Sequence, residues 1–377
     1  MHIHNKKGIG IILNSTWNIY NFRRGLIQEL SDAGYRVVAI APKDDSVDIL
    51  LKELNCVHVP LKNLSRKGVN PFRDILLIWE LYRIIKANCL DIILNYTIKP
   101  VIYGTIAGKL SGVRVVNTIT GLGYSFLSEN YVGKIVRSLL AFTLSLSHRV
   151  YFQNKDDLHY FLSHKLVPLS ISDVLDGSGV DIDFFGLSPY PSDEKINVLF
   201  VGRLLVHKGI KELFDAAELV WKCNSAFHLY VVGAIDDDNP ASISPDYLNN
   251  WRKKKFVTFY GKVNDVRPFI EKSHVFVLPS YREGLPRSVL EAMSMGRPII
   301  ATDVPGCRET VIPNENGYLV SVKNSKALAH AILRFSKLSY KEKRAMGLRS
   351  REIVLRRFSK GIINSKYLDT ISSLLTK

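Results

Sequence analysis

Leu278-Pro-Ser-Tyr-Arg-Glu283-Gly-Leu-Pro-Arg-Ser-Val-Leu-Glu291-Ala-Met293 is the stretch whose reading decides the fold. The apolar run Val275–Leu278 reads as a buried strand ending near Pro279. Gly284 and Pro286 then open a helix, since proline is preorganised for the first helical position and lacks an amide that would go unsatisfied there. That helix is expected to run to Gly296. A strand, a short loop and a helix in this order belong to a parallel sheet with helices on its faces. Ligands of such sheets bind beyond the carboxyl ends of the strands, where the loop carrying Glu283 falls. Backbone N–H groups around Gly284, Leu285 and the first turn at Pro286, helped by the helix dipole, suit a diphosphate. Glu291 has acceptor oxygens for two vicinal hydroxyls of a ribose. Glu283 is placed to hold a sugar hydroxyl or to balance positive charge at a reacting carbon. On spacing alone, two glutamates eight positions apart are equally well read as solvated decoration of a helix.

The same rhythm extends in both directions. Strands read at Ile196–Val201, Phe227–Val232, Val257–Tyr260, Ile299–Thr302 and Tyr318–Val320, with helices at Gly209–Lys222, Arg287–Met295 and Lys326–Phe335. The first half repeats it, with strands at Gly8–Asn14, Arg36–Ala41, Asp91–Asn95, Arg114–Thr118 and Arg149–Gln153 and helices at Asn21–Ala33 and Pro71–Asn88. A chain of 377 residues exceeds one ordinary core, and domains of roughly 150–200 residues are the expectation. The fold expected is α/β: two Rossmann-like domains whose parallel sheets face a central cleft. Residues 1–178 form the first and 195–350 the second, joined by a linker over 179–194 that is rich in Gly, Pro and Ser, and 351–377 is a helix packing back on the first.

The net charge of +16 calls for anionic partners: phosphorylated substrates or an anionic membrane surface rather than nucleic acid, because aromatics do not interleave with the basic residues. Cys56, Cys89, Cys223 and Cys307 are too far apart for a zinc motif or a disulfide framework, which favours a reducing cytosol. Met1–Lys7 does not read as a signal peptide, and no apolar stretch approaches 20 residues, so a protein in solution or on a membrane surface is expected. Residues 132–148 are amphipathic and could lie on a bilayer. Packing on the sheet is the favoured alternative, because most such helices face a core. Asp236-Asp-Asp238 suggests a metal site, but its place in a polar loop before Asn239-Pro240 favours a solvated turn.

Glu283-x7-Glu291 in its setting, the continuation Gly296-Arg-Pro-Ile-Ile-Ala-Thr-Asp303-Val-Pro-Gly-Cys-Arg-Glu309, Asn316-Gly-Tyr-Leu-Val320 and Val201-Gly-Arg203-Leu-Leu-Val-His-Lys208-Gly209 together resemble the family-4 retaining glycosyltransferases of GT-B fold. The resemblance implies that Arg203 and Lys208 bind the donor diphosphate with Gly284, Leu285, Pro286 and Glu291, that Glu283 acts at the sugar, and that neither metal nor cofactor is needed. In place of the family's usual Gly-rich first loop stands Asn14-Ser-Thr-Trp17-Asn-Ile-Tyr20-Asn-Phe-Arg23-Arg24-Gly25. With Asn95-Tyr-Thr-Ile-Lys99-Pro100 and Asn117-Thr-Ile-Thr120-Gly-Leu-Gly-Tyr124, it is similar to the subgroup that elongates polyprenyl-diphosphate-linked sugars, N-acetylgalactosaminyltransferases among them. That implies Asn18, Arg23, Arg24, Lys99 and Tyr124 on the acceptor side, a UDP-sugar such as UDP-GalNAc as donor, and a place on the inner face of the cell membrane. The family's usual His near the strand ending at Thr118, which touches the donor sugar, is absent, which leaves Thr120 as the catalytic candidate there, with the Gly121–Gly123 backbone as the alternative. Three other readings are a nucleotide-sugar epimerase, a basic RNA-binding protein and a glycosidase built on Glu283 and Glu291. The last has one glutamate in a loop and one inside a helix, with no reason to flank a scissile bond.

Overall fold

The structure, a computed structural model, describes residues 6–65, 70–122, 131–192, 195–236, 239 and 241–376, with Tyr131 and Val132 described in backbone only. The chain divides into one unit made of Met1–Ser178 with Lys360–Lys377 and a second made of Gly179–Ser359.

In the first unit the strands are β1 (Gly8–Ile12), β2 (Arg36–Ala41), β3 (Val57–Pro60), β4 (Ile92–Tyr96), β5 (Arg114–Ile119), β6 (Arg149–Phe152) and β7 (Ser172–Val174). They form one parallel sheet in the order β3-β2-β1-β4-β5-β6-β7. The central strands are buried along nearly their whole length because helices cover both their faces. Those helices are α1 (Thr16–Asp32), α2 (Val47–Glu53), α3 (Pro71–Ala87), α4 (Thr105–Ser111), α5 (Tyr131–Ser145) and α6 (Lys155–Ser163). Two strands lack the expected signal, β3 and β7. Both are short edge strands, and β3 is half exposed, so neither needs an apolar run. Helix α1 starts five residues before the expected Asn21, because the Ser15 hydroxyl accepts from the Asn18 amide and caps the helix there.

The second unit has β8 (Ile196–Val201), β9 (Phe227–Val232), β10 (Val257–Gly261), β11 (Val275–Leu278), β12 (Ile299–Thr302) and β13 (Gly317–Val320), all parallel, in the order β10-β9-β8-β11-β12-β13. Its helices are α7 (Ile210–Cys223), α8 (Pro245–Arg252), α9 (Arg267–Glu271), α10 (Arg287–Ser294), α11 (Ser325–Ser336) and α12 (Tyr340–Ile353). Helix α13 (Lys360–Leu375) returns to the first unit. There Ile363, Tyr367 and Ile371, one turn apart, are fully buried, each contributing about 2 kcal/mol by burial. The Tyr367 hydroxyl meets Thr118 Oγ1 at 2.7 Å, and Asn364 donates to Glu29 on α1 at 2.8 Å.

The expected linker over 179–194 is instead part of the second unit. Val180 and Phe185 enter that unit's core, and the buried Tyr190 donates its hydroxyl to the His274 carbonyl at 2.8 Å. The fully buried Arg297 guanidinium donates to the Pro189 carbonyl and the Ser188 hydroxyl, both at 2.8 Å, and Arg351 donates to the carbonyls of Ile182 and Phe185. The composition of the segment suggests flexibility, but its carbonyls are the ligands of two arginines. Burial lowers the Arg297 pKa to about 10, against the favourable effects of Tyr190 and Glu271. Residues 351–359 also stay with the second unit rather than the first. Helix α12 runs on into a π-helical turn, Val354–Phe358, whose Val354 and Phe358 are buried in that core, and the chain breaks only at the extended Ser359.

Helix α5, the amphipathic candidate, packs on the sheet through Leu140 and Leu144 beside Val150 and Phe152 of β6. Among the described residues no helix is long and apolar enough to cross a membrane.

Candidate functional site

Strand order reverses once in each sheet, between β1 and β4 and between β8 and β11. The connections leaving these neighbours run to opposite faces, which opens a crevice at the strand ends. In the second unit the loop after β8 carries Arg203 and Lys208, and the loop after β11 carries Glu283.

Glycines let these loops approach. Gly209 has φ of 72°, and a Cβ there would lie 2.0 Å from the Pro279 carbonyl oxygen, so the loop after β8 can lie against the loop after β11 only with glycine. The Tyr281 amide donates to the His207 carbonyl at 2.9 Å and zips the two loops together. Glu283 is held from the other side: its amide donates to the Pro305 carbonyl at 3.0 Å, and Gly306, at φ 84°, sits where a Cβ would strike the Glu283 carbonyl. Between these supports Lys208 Nζ donates to Glu283 Oε1 at 2.5 Å, with the side chains only 19% and 13% exposed. Burial lowers the His207 pKa, and Lys208 adds to the shift, so that imidazole stays neutral beside the pair.

Arg203 is more exposed and donates to Asp236 at 2.8 Å. Asp236 lies in a loop and is partly exposed; Asp237 and Asp238 lie outside the described residues. Pro286 is the N-cap of α10 and makes no side-chain cap hydrogen bond to the opening turn, the end at which the helix dipole is positive. Gly284 and Leu285 lead into it, both half-buried. Within α10, Arg287 Nε donates to Glu291 Oε1 at 2.9 Å. Burial raises the Glu291 pKa and Arg287 pulls it back. Sequence reasoning missed Arg287, although i,i+4 spacing of opposite charges is a readable helix signal.

The first unit gathers a different set. Arg23, on the inner face of α1, is buried, and its guanidinium carbon lies 4.0 Å from the centroid of the Tyr96 ring at the end of β4. Its Nε has no hydrogen-bond partner among the described residues. Thr97, next in the chain, holds φ at 65°, a strained conformation for a β-branched residue and one that tends to mark functional turns. Lys99 follows and pairs with the buried Asp74 of α3 at 3.3 Å. Arg24 does not join them: it faces outward, 3.9 Å from Glu53 and 3.5 Å from the Tyr20 hydroxyl. Asn18 donates its side-chain amide to Asn14 at 2.7 Å, a local tie within the loop after β1. Thr120 lies half-buried just past β5, while Tyr124 is outside the described residues. Asn95 and Asn117 are scaffold: they bond to each other at 2.9 Å and, through Asn117, to Thr105 and Ser147.

Comparison with known proteins matches both halves of the chain. Residues 195–337 match the family model "Glycosyl transferases group 1", and residues 11–154 match "Glycosyl transferase 4-like". An N,N'-diacetylbacillosaminyl-diphospho-undecaprenol alpha-1,3-N-acetylgalactosaminyltransferase of Campylobacter jejuni is 28% identical, over 86% of this chain and 88% of that one. A UDP-Gal:alpha-D-GlcNAc-diphosphoundecaprenol alpha-1,3-galactosyltransferase of Escherichia coli is 26% identical, over 71% and 72%. Among solved structures, a glycosyltransferase from Rickettsia africae superimposes with a TM-score of 0.80 at 21% identity, over 99% of both chains. Anabaena HepE in complex with UDP does so with 0.78 at 19%, over 97% of this chain and 100% of that one, which fixes the fold as the two-sheet GT-B type.

Proposed function

This chain belongs to the glycosyltransferases, with a 4-like half followed by a group 1 half, and we propose that it moves an N-acetylhexosamine from a UDP-sugar, UDP-GalNAc being the first choice, to a polyprenyl-diphosphate-linked sugar with retention at the anomeric carbon. The observation that carries this reading is the Lys208–Glu283 pair, fixed at the strand ends beside the uncapped start of α10. Cations and helix amides stabilise a departing diphosphate most when they are already in place, because no reorganisation is then needed as charge develops. The diphosphate takes Lys208 from Glu283, joins Arg203 and sits on the α10 amides. Glu283, freed, holds a sugar hydroxyl, and Glu291 accepts from the ribose.

In the proposed step the bond between the anomeric carbon and the diphosphate oxygen breaks, and its electron pair leaves with UDP. The acceptor hydroxyl forms the new bond on the same face and passes its proton to the leaving phosphate oxygen, so no separate base is required. Two side-chain cations neutralise the leaving group in this scheme, without a metal ion or other cofactor. Arg23 and Lys99 are assigned to the acceptor side, and Thr120 to the catalytic place beside the donor sugar. The relatives' acceptors, diphospho-undecaprenol sugars by name, support a lipid-linked acceptor and work at the inner face of the cell membrane.

The test is a thermal-shift and hydrolysis panel of nucleotide sugars, followed by transfer to a polyprenyl-diphosphate sugar. Arg203→Ala is expected to lower turnover by more than about tenfold while keeping the fold; wild-type rates in the folded variant would remove the phosphate assignment. An epimerase would instead convert donor with no acceptor present.

A further inference from the structure

Helix α3 has two apolar faces, and the core uses only one. Leu77, Leu81 and Ile85 are buried against the sheet. On the opposite side Phe72, Ile75, Leu76 and Trp79 are 82%, 64%, 52% and 58% exposed. Their spacing, i, i+3, i+4 and i+7, places them in one stripe about 10 Å long. Scattered exposed apolar residues need no explanation, but a contiguous stripe does.

The charges on this helix are sorted. Its acids turn away from the stripe: Asp74 is buried against Lys99, and Glu80 accepts from the backbone amides of Lys62 and Asn63. Its cations, Arg73, Arg83 and Lys86, stay exposed. Arg83, four residues beyond Trp79, and Lys86, seven beyond, prolong the same face. Lys86 is also tied to the Ser111 carbonyl at 3.0 Å. Neither Arg73 nor Arg83 pairs with a carboxylate among the described residues.

We propose that this face of α3 docks on the surface of a bilayer containing anionic lipid, with Phe72, Ile75, Leu76 and Trp79 in the headgroup–acyl boundary and Arg73, Arg83 and Lys86 against lipid phosphates. Aromatic and aliphatic side chains beside unpaired cations suit that boundary, where tryptophan is favoured and each cation near an anionic surface contributes about 1 kcal/mol. A second copy of the chain is the poorer occupant, because a self-complementary contact would bring the cations together without acids to meet them. The proposal rests on the reading that the acceptor is lipid-linked, and it adds the means of reaching it: Asp74, on the buried side of the same helix, positions the acceptor-side Lys99.

The test is co-flotation of the full chain with phosphatidylethanolamine vesicles with and without phosphatidylglycerol, beside UDP affinity and transfer to a short-chain, water-soluble acceptor. The triple variant Phe72→Ser, Ile75→Ser, Trp79→Ser is expected to lose vesicle binding by about tenfold or more. Arg73→Glu with Arg83→Glu removes the preference for phosphatidylglycerol. Both keep UDP affinity and transfer to the soluble acceptor. Flotation of the triple variant at wild-type level overturns the proposal, as does a wild type that fails to float. A stripe variant that only turns a dimer into a monomer also overturns it, in favour of self-association. A wild type that floats through α3 yet transfers no sugar would leave the docking surface standing and remove the proposed function instead.

Discussion

Lys208 and Arg23 each lie on the segment that follows the central strand where strand order reverses, Lys208 in the turn after β8 and Arg23 inside α1, yet the protein holds them by different means. Lys208 rests on a carboxylate, Glu283, at 2.5 Å. Arg23 rests on the face of Tyr96, and its Nε has no hydrogen-bond partner among the described residues. A lysine stored on an acid must exchange that partner for an incoming phosphate, which leaves the acid available for chemistry. An arginine stored on an aromatic ring has no partner to give up, so it suits standing recognition of an anion. Under the proposed function, turnover is expected to depend on the second unit's cation and acceptor affinity on the first unit's.

The largest expected effect tests the second unit. Lys208→Gln should lower kcat by about a hundredfold, as loss of a preorganised charge at a leaving group does, with its stability followed by denaturant unfolding. A kcat unchanged in a folded protein breaks the comparison. Next, Arg23→Ala should raise the acceptor KM by about tenfold, the scale of a lost charge-assisted hydrogen bond, while UDP affinity is unchanged; a fall in UDP affinity instead would merge the two roles. Glu291→Gln should weaken donor binding by a few-fold, roughly 1 kcal/mol for one hydrogen bond, and should also change its pH dependence. Because burial raises the Glu291 pKa, the carboxylate proposed to accept ribose hydroxyls is lost as pH falls through a value above the ordinary glutamate range. The sign is opposite for stability: a raised carboxyl pKa favours the fold at low pH and costs stability as pH rises through it. Isothermal titration at stepped pH should show the acid limb in wild type and none in the Gln variant. Smallest of all, Arg24→Ala should leave kcat and both KM values within about twofold, since its exposed contact to Glu53 at 3.9 Å is a weak surface pair. A large acceptor effect there would sharpen the comparison differently, by returning both arginines to the acceptor.

The second unit was legible because its chemistry is local. Gly284, Pro286, Glu283 and Glu291 lie within one strand–loop–helix segment, and Arg203 and Lys208 within one loop. The Lys208–Glu283 contact itself joins positions 75 apart and needs the β8–β11 adjacency to be seen. The first unit was less legible for the same reason. Arg23 and Arg24 look alike in sequence, and only the helical turn of 100° per residue sends one onto Tyr96 and the other to Glu53. Residues 179–194 misled because Gly, Pro and Ser describe a mobile linker as well as a segment whose carbonyls are claimed by Arg297 and Arg351. Helix α3 hid its exposed stripe because a pattern apolar on two faces gives no strong moment and reads as core.

The most direct measurement is isothermal titration of UDP into the wild type and into a folded Arg203→Ala, Lys208→Ala double variant. The account expects one site in the wild type and at least about a hundredfold weaker binding in the variant, in line with two lost charge-assisted contacts. Equal affinity in the two proteins would contradict it, because the diphosphate would then be held somewhere other than the strand ends of the second sheet.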